Sequence, residues 1–271
     1  MPMPNHEALI RLGVFVLTLF AMMTFELLAP RRPLSISRSR RWPSNIGMVL
    51  IDTLVVRIFF PLAAVGWALE VEARGWGLLN HLALPGAVDF GIAFVALDLV
   101  IYGQHVLFHR VPLLWRLHRV HHADLDFDVT TGVRFHPLEI MLSMLIKFAA
   151  VAVLGAPAIA VMTFEIVLNA ATMFNHGNVA LPTRFDWKLR LFVVTPDMHR
   201  VHHSILAHET HSNFGFNLPW WDRMFGTYRA QPEAGHRAMI IGLPLFRTHA
   251  ELRLDRMLVQ PLRNDRPTAE D

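Results

Sequence analysis

Apolar positions fall in long runs rather than in the alternating or one-sided patterns of a soluble domain. Residues 8–29 form the first run and residues 46–69 the second. Residues 87–109 form the third, and 138–155 and 157–176 follow on either side of Gly155-Ala156-Pro157. Each approaches the roughly 20 residues a helix needs to cross a hydrocarbon core. Glycine and proline between the last two mark a tight turn, so 138–176 reads as a helical hairpin. The pattern predicts an all-α polytopic membrane protein with about four transmembrane helices and one domain over 1–271.

The polar segments between the runs set an orientation. Residues 30–45 carry Arg31, Arg32, Arg38, Arg40 and Arg41, whereas 70–86 is poor in positive charge. Basic loops stay on the cytoplasmic side. The N-terminus is then expected outside, with 110–137 and 179–271 forming a cytoplasmic helical cap. The arginine loop reads as a topology signal with headgroup contacts. Asp52 and Arg57, at membrane depth, are each expected in a structural ion pair with another helix, and Trp67 and Trp76 in an interfacial aromatic belt.

Composition agrees with a membrane location. Of 271 residues, 53% are hydrophobic and only 17% charged, and the mean hydropathy is +0.36, too apolar for a typical soluble domain. The formal charge of +3 is dispersed in short loops, which argues against nucleic acid as a partner. No residue is cysteine, which excludes disulfides, Cys-ligated clusters and thiolate zinc sites. The first apolar run is long and lacks a small-residue cleavage site, so it does not read as a cleaved signal peptide.

Histidine supplies the candidate chemistry. His118-Arg119-Val120-His121-His122 returns letter for letter as His199-Arg200-Val201-His202-His203, and His105 and His109 precede the first copy at an i, i+4 spacing. Residues three and four apart share a helix face, so each cluster can aim its imidazoles at one point, as metal ligation requires. Eight imidazoles exceed the four ligands of one tetrahedral ion and suit two ions in one site, or two sites. All of these clusters fall at the helix ends assigned to the cytoplasm. Asp98 lies seven residues before His105 on the same face. It reads either as a carboxylate that orients a ligand imidazole or as an interhelical hydrogen-bond partner.

From about Asp98 to Tyr228 the chain resembles the fatty acid hydroxylase/sterol desaturase superfamily. The likeness rests on the HxxxH, HxxHH and HxxHH clusters and on three further stretches: Phe135-His136-Pro137-Leu138-Glu139, Asn213-Phe214-Gly215, and Trp221-Asp222-Arg223-Met224-Phe225-Gly226-Thr227-Tyr228. The resemblance implies a non-haem di-iron centre that uses O2 and two electrons to hydroxylate or desaturate a membrane lipid. It implies His105, His109, His118, His121, His122, His199, His202 and His203 as ligands, and His176 as a ninth. His136, Asp98, Asn175 and Asn213 are candidates for an extra ligand or for groups that support the ligands. Phe214 stands where a tyrosine is common, and His208 and His211 read as cap-surface residues. With no haem or flavin motif in the chain, electrons would come from a separate donor protein. The expected location is a bacterial inner membrane, with the metal centre on the cytoplasmic side.

Two other readings compete. A zinc-dependent membrane hydrolase would use the same imidazoles to activate water. A metal-binding or transport protein would want ligands at mid-depth rather than at helix ends.

Overall fold

The structure, a computed structural model, describes residues 4–264. Five stretches among them are long and apolar enough to cross a membrane. They are α1 (Pro4–Leu28), α2 with α3 (Arg38–Phe59 and Ala63–Ala73), α4 (Gly86–Arg110), α6 (Pro137–Leu154) and α7 (Ala158–Asn175). Between α4 and α6 lies the short α5 (Pro112–His122). These are five candidate spans, each leg of the hairpin, 18 residues long, qualifying alone. Their surfaces expose rows of large apolar side chains, among them Leu17, Leu28, Leu50 and Val153, as lipid-facing helices do. These are the features of an integral membrane protein.

Local sequence explains the breaks. Pro61 has no N–H to continue α2 and biases the preceding residue away from helical geometry; Phe60 adopts φ −130°, ψ 66°, and α3 restarts at Ala63. Gly155 takes the left-handed conformation, φ 68°, that caps α6. At that same end Leu78 donates to the Val153 carbonyl at 3.0 Å, and Gly77 packs so tightly on Gly155 that a Cβ would overlap it. The 74–85 loop and the α6–α7 turn therefore share one end of the bundle. The Arg110 end of α4, the Pro137 end of α6 and the Asn175 end of α7 share the other.

Small residues let the helices approach closely. Ala64 and Ala68 on α3, Ala93 on α4 and Ala160 on α7 are completely buried beside Val161 and Phe164. Without a hydrophobic drive between helices in lipid, close packing of this kind holds the bundle. Trp67 is partly buried against this core: its ring stacks on Phe148 and its indole N–H donates to the Phe148 carbonyl at 2.9 Å. Asp52 and Arg57 form no ion pair. Asp52 is buried with one oxygen unpartnered, and Arg57 points outward. Charge is paired elsewhere, at Arg11–Glu165 (2.7 Å) and Lys147–Glu165 (2.5 Å), which tie α1, α6 and α7 together.

The side chains of the arginine loop also grip distant parts of the protein. Arg31 binds Asp197, Arg32 the Met239 carbonyl, Arg38 Glu26 and Arg40 His249. Arg41 is fully buried. It holds both oxygens of Asp124 at 2.7 and 2.8 Å and one of Asp128 at 2.7 Å. Asp126, between them, accepts the backbone N–H groups of Ser35 and Ile36. Three alternating aspartates thus clamp the start of α2 to the loop that follows the first histidine repeat.

Candidate metal centre

Each histidine repeat sits on a short helix that opens with proline. Pro112 starts α5 directly after α4, and Pro196 starts α9 (Pro196–His202), whose Thr195 hydroxyl caps the Met198 N–H. Proline suits the first helical position because its missing N–H has no partner there. The two repeats use their arginines alike, away from the imidazoles. Arg119 binds the Arg263 carbonyl at 2.6 Å in the C-terminal tail, and Arg200 binds Asp197 and the Gly177 carbonyl.

The fold gathers the nine predicted histidines into two buried groups. His105, His109, His118, His122 and His202 form one, and His121, His176, His199 and His203 the other; within each, the candidate ligand nitrogens all lie within 4.8 Å of one another. The groups share a boundary, with the His122 and His203 rings stacked 4.5 Å apart and the His121 and His118 rings 5.2 Å apart.

Hydrogen bonds settle which nitrogen faces inward. The Nδ1 atoms of His105, His176 and His202 sit 2.7, 2.8 and 2.6 Å from the carbonyl oxygens of Phe214, Thr172 and Ser212. A carbonyl only accepts, so each Nδ1 carries the proton and each Nε2 is a bare lone pair. Nδ1 of His118 likewise donates to the Glu139 carboxylate at 2.6 Å. Yet Nε2 of His105 lies 3.0 Å from Nε2 of His202 and 3.1 Å from that of His118. In the second group, Nε2 of His176 lies 3.1 Å from those of His121 and His199. Among His105, His118 and His202 this leaves lone pairs facing one another, which repel at that distance. Nitrogens held about 2.0–2.1 Å from one ion would be separated by about 2.9–3.4 Å, so the spacing fits a cation between them. Both ring nitrogens of His109 and of His203 are buried without partners, which fits the same conclusion.

Burial keeps these rings neutral, the form that binds metal. Desolvation holds His121, His122, His199, His202 and His203 well below the ordinary imidazole range, reinforced by neighbouring imidazoles. It lowers His118 and His176 to about 3. An unfolded chain takes up these protons near pH 6.5 and the folded cluster refuses them. Stability is therefore full above about pH 6.5 and is lost as pH falls toward 3. We predict that the melting temperature of metal-stripped protein drops progressively from pH 7 to pH 5; a flat profile over that range would contradict the assignment.

Among the supporting candidates, Asp98 is not brought to the imidazoles; it accepts from the Trp221 indole at 2.8 Å and from the Leu218 N–H. His136 lies outside both groups. Its Nδ1 caps α6 by accepting the Leu138 N–H, and its Nε2 donates to the Leu258 carbonyl. Asn175 donates to the Phe216 carbonyl at 3.0 Å and so fixes the segment on which Phe214 faces the site. Asn213, at φ 53°, donates to the Met198 and Arg229 carbonyls and accepts the Arg229 N–H. His208 pairs with Glu233 on the surface at 2.7 Å, and the partly exposed His211 packs edge-on at 5.5 Å from His109.

Glu139 is the residue that sequence reasoning passed over. It sits in the first turn of α6, buried, with its second oxygen unpartnered, and the signal was its place directly after His136-Pro137-Leu138. A carboxylate behind a ligand imidazole fixes the ring and raises its basicity. Glu139→Ala should weaken metal binding roughly 10–100-fold, with Glu139→Gln falling between. Competition with a chelator reads this directly, and unchanged retention in Glu139→Ala would remove Glu139 from the site. Gly132 was also unforeseen: a Cβ there would press to 3.1 Å from Nδ1 of His176.

The Fatty acid hydroxylase family model matches residues 90–227. Ornithine lipid hydroxylase OlsE of Rhizobium tropici is 30% identical over 148 residues, 55% of this chain and 44% of that protein. Human alkylglycerol monooxygenase is 27% identical over 147 residues, 52% of this chain and 31% of that protein. Rat cholesterol 25-hydroxylase is 26% identical over 197 residues, 70% of this chain and 61% of that protein. The chain thus spans less than two thirds of the length of each of these relatives. No solved structure matches it. The matched segment covers half of the chain and contains every residue of both imidazole groups, so the chain belongs to the fatty acid hydroxylase family.

Proposed function

We propose that the protein hydroxylates a membrane lipid, using O2 and two iron ions held by the nine histidines. The observation that carries this reading is the convergence of buried imidazole Nε2 atoms at 3.0–3.1 Å in two adjoining groups. The relatives whose names specify ornithine lipid, alkylglycerol and cholesterol support a lipid with an unactivated alkyl C–H bond as substrate. Acid–base side chains have no purchase on such a bond, and bound iron would supply the O2 chemistry that they lack.

The chain's own residues hold the ligands and keep water out. The Phe214, Thr172 and Ser212 carbonyls and the Glu139 carboxylate fix four imidazoles. An aromatic shell surrounds them. Phe135 stacks on His121 at 4.5 Å, Phe216 lies 4.8 Å from His105, and Trp115 lies 4.9 Å from His109. The reaction consumes two electrons and two protons for each O2, giving one alcohol and one water. A separate donor protein provides the electrons on the side where the histidines lie. The positive charge of 30–45 supports a cytoplasmic location for that side, and the bacterial relative supports an inner membrane. The described residues act as one domain, with 110–137 and 179–264 as its cap.

Iron-loaded protein in lipid nanodiscs, given reductant and O2, tests the proposal. The expected result is O2 uptake matched by lipid that has gained one oxygen atom. Loss of two hydrogens without oxygen gain would make the protein a desaturase. Zinc in place of iron, with lipid cleavage and no O2 uptake, would make it a hydrolase. Absence of all these reactions with total membrane lipid would sink the reading.

A further inference from the structure

The cap turns part of its surface toward the bilayer. Residues 214–228 run down the side of α4 rather than resting on its end. The Trp221 indole reaches Asp98, and the Tyr102 hydroxyl bonds Thr227 at 2.9 Å while its ring stacks on Phe225 at 5.5 Å. Asp98 lies twelve residues before Arg110, about 18 Å along a helix axis. Phe216 even joins the core between the membrane helices. This segment, with its short helix α11 (Trp220–Met224), therefore lies level with the membrane helices.

Its outer face is apolar. Trp220 and Phe225 are exposed, and Met224 is 67% exposed. A neighbouring element extends the face: α8 (Thr183–Leu189) and the turn after it expose Phe185, Leu191, Trp187 at 73% and Phe192 at 64%. The Trp220 indole donates to the Leu191 carbonyl at 2.8 Å and Arg223 to the Arg190 carbonyl at 3.2 Å, so the two elements form one surface. Contiguous exposure of this size marks an interaction site.

Charge selects the occupant. Arg184, Lys188 and Arg223 are exposed among these side chains. The acids of the same elements are turned inward: Asp186 is buried against Arg190 at 2.7 Å, and Asp222 accepts the Phe214 and Gly215 N–H groups. Tryptophan with phenylalanine and basic residues, and no exposed acid, is the pattern of a segment lying at the headgroup boundary. The surface is also continuous with α4, whose Leu99 is exposed one turn from Tyr102.

We propose that the 185–192 and 220–225 surface is seated in the anionic headgroup layer of the leaflet facing the histidine end, so that the cap is itself partly inserted in the membrane. The inference rests on the five helices crossing the bilayer and is independent of the metal and the reaction.

The chain has no cysteine, so Trp187→Cys and Met224→Cys each provide a single site for a nitroxide label. Glu233→Cys, on the exposed polar side of the cap, provides the aqueous reference. Full-length protein in vesicles of phosphatidylethanolamine and phosphatidylglycerol is then probed with O2, which partitions into lipid, and with a water-soluble nickel chelate. Both surface labels should show an O2-to-nickel accessibility ratio several-fold above that of Glu233→Cys. In otherwise unsubstituted protein, lipids brominated near the headgroup should quench fluorescence, and less so in Trp187→Phe/Trp220→Phe. Ratios equal to the reference would overturn the proposal. Labels shielded from both reagents, with spin–spin broadening, would overturn it in favour of a second copy of the chain. Release of the protein from vesicles by alkaline extraction would instead refute the membrane-spanning helices.

Discussion

Arg41→Met will lower stability by about 3–5 kcal/mol, the cost of leaving one side of a buried ion pair uncompensated. For a chain of this size that is a drop of roughly 6–20 °C in melting temperature. Arg41 has no exposed surface and makes a two-pronged contact with Asp124, a third bond to Asp128 and a fourth to Thr131. Once it is gone, two carboxylates remain buried. Arg134 stands 3.9 Å from Asp124 but is committed to the Val120 carbonyl, so it offsets only part of the loss. Arg41→Lys should recover little, because an ammonium cannot span both oxygens. The damage will reach the metal site, since Asp124 follows His122 by two residues. Thermal melting in mild detergent, with metal retention measured on the same samples, checks both. A melting temperature within 2 °C of wild type would show that the clamp contributes nothing.

That clamp shows where the sequence stops being legible. The arginines of 31–41 are visible as a charged loop, and average behaviour assigns such loops to topology and headgroups. Arg41 finds its partners 83 and 87 residues away at Asp124 and Asp128, and Arg40 reaches His249, 209 residues away; no local pattern announces pairings that form only when distant segments meet. For Asp52 and Arg57 the expectation fails likewise, because a partner on another helix cannot be read locally: Asp52 is buried and Arg57 exposed, and neither has an ion-pair partner among the described residues. The histidines were legible because their information is local. The i, i+3, i+4 spacing places three rings on one face whatever the tertiary fold. Hydropathy runs likewise located the long helices, the hairpin's two legs included. Asp98 was ambiguous at sequence level because either role needs only its helical face. The Trp221 indole, 123 residues away, decides between them. Glu139 stood in plain view beside His136, but its bond to His118 depends on how α5 packs on α6.

His202→Ala and His121→Ala will separate the two groups. His202 belongs to the five-histidine group and its Nε2 is 3.0 Å from that of His105. His121 belongs to the four-histidine group and its Nε2 is 3.1 Å from that of His176. Each change removes a ligand outright and should weaken one ion by more than the roughly 10–100-fold that follows from disturbing a ligand's support. The four-histidine group has fewer donors in reserve, so His121→Ala should lose its ion more completely. Each single variant is expected to retain close to one ion, the double variant none, and all three to lose lipid oxidation. Alanine opens a cavity in a buried cluster, so His→Gln variants at both positions, which keep volume, guard against reading misfolding as metal loss. Two ions retained in either alanine variant would mean that its histidine does not bind.

The most direct test of the account is the metal content of gently purified wild-type protein, determined by mass spectrometry of the metals and by Mössbauer spectroscopy after anaerobic reconstitution with iron. Two irons per chain, in a magnetically coupled pair and absent from the double variant, is the result the converging imidazoles predict. No stoichiometric metal after reconstitution, from a protein that remains folded, would contradict the central claim, and the facing imidazole nitrogens would need another explanation.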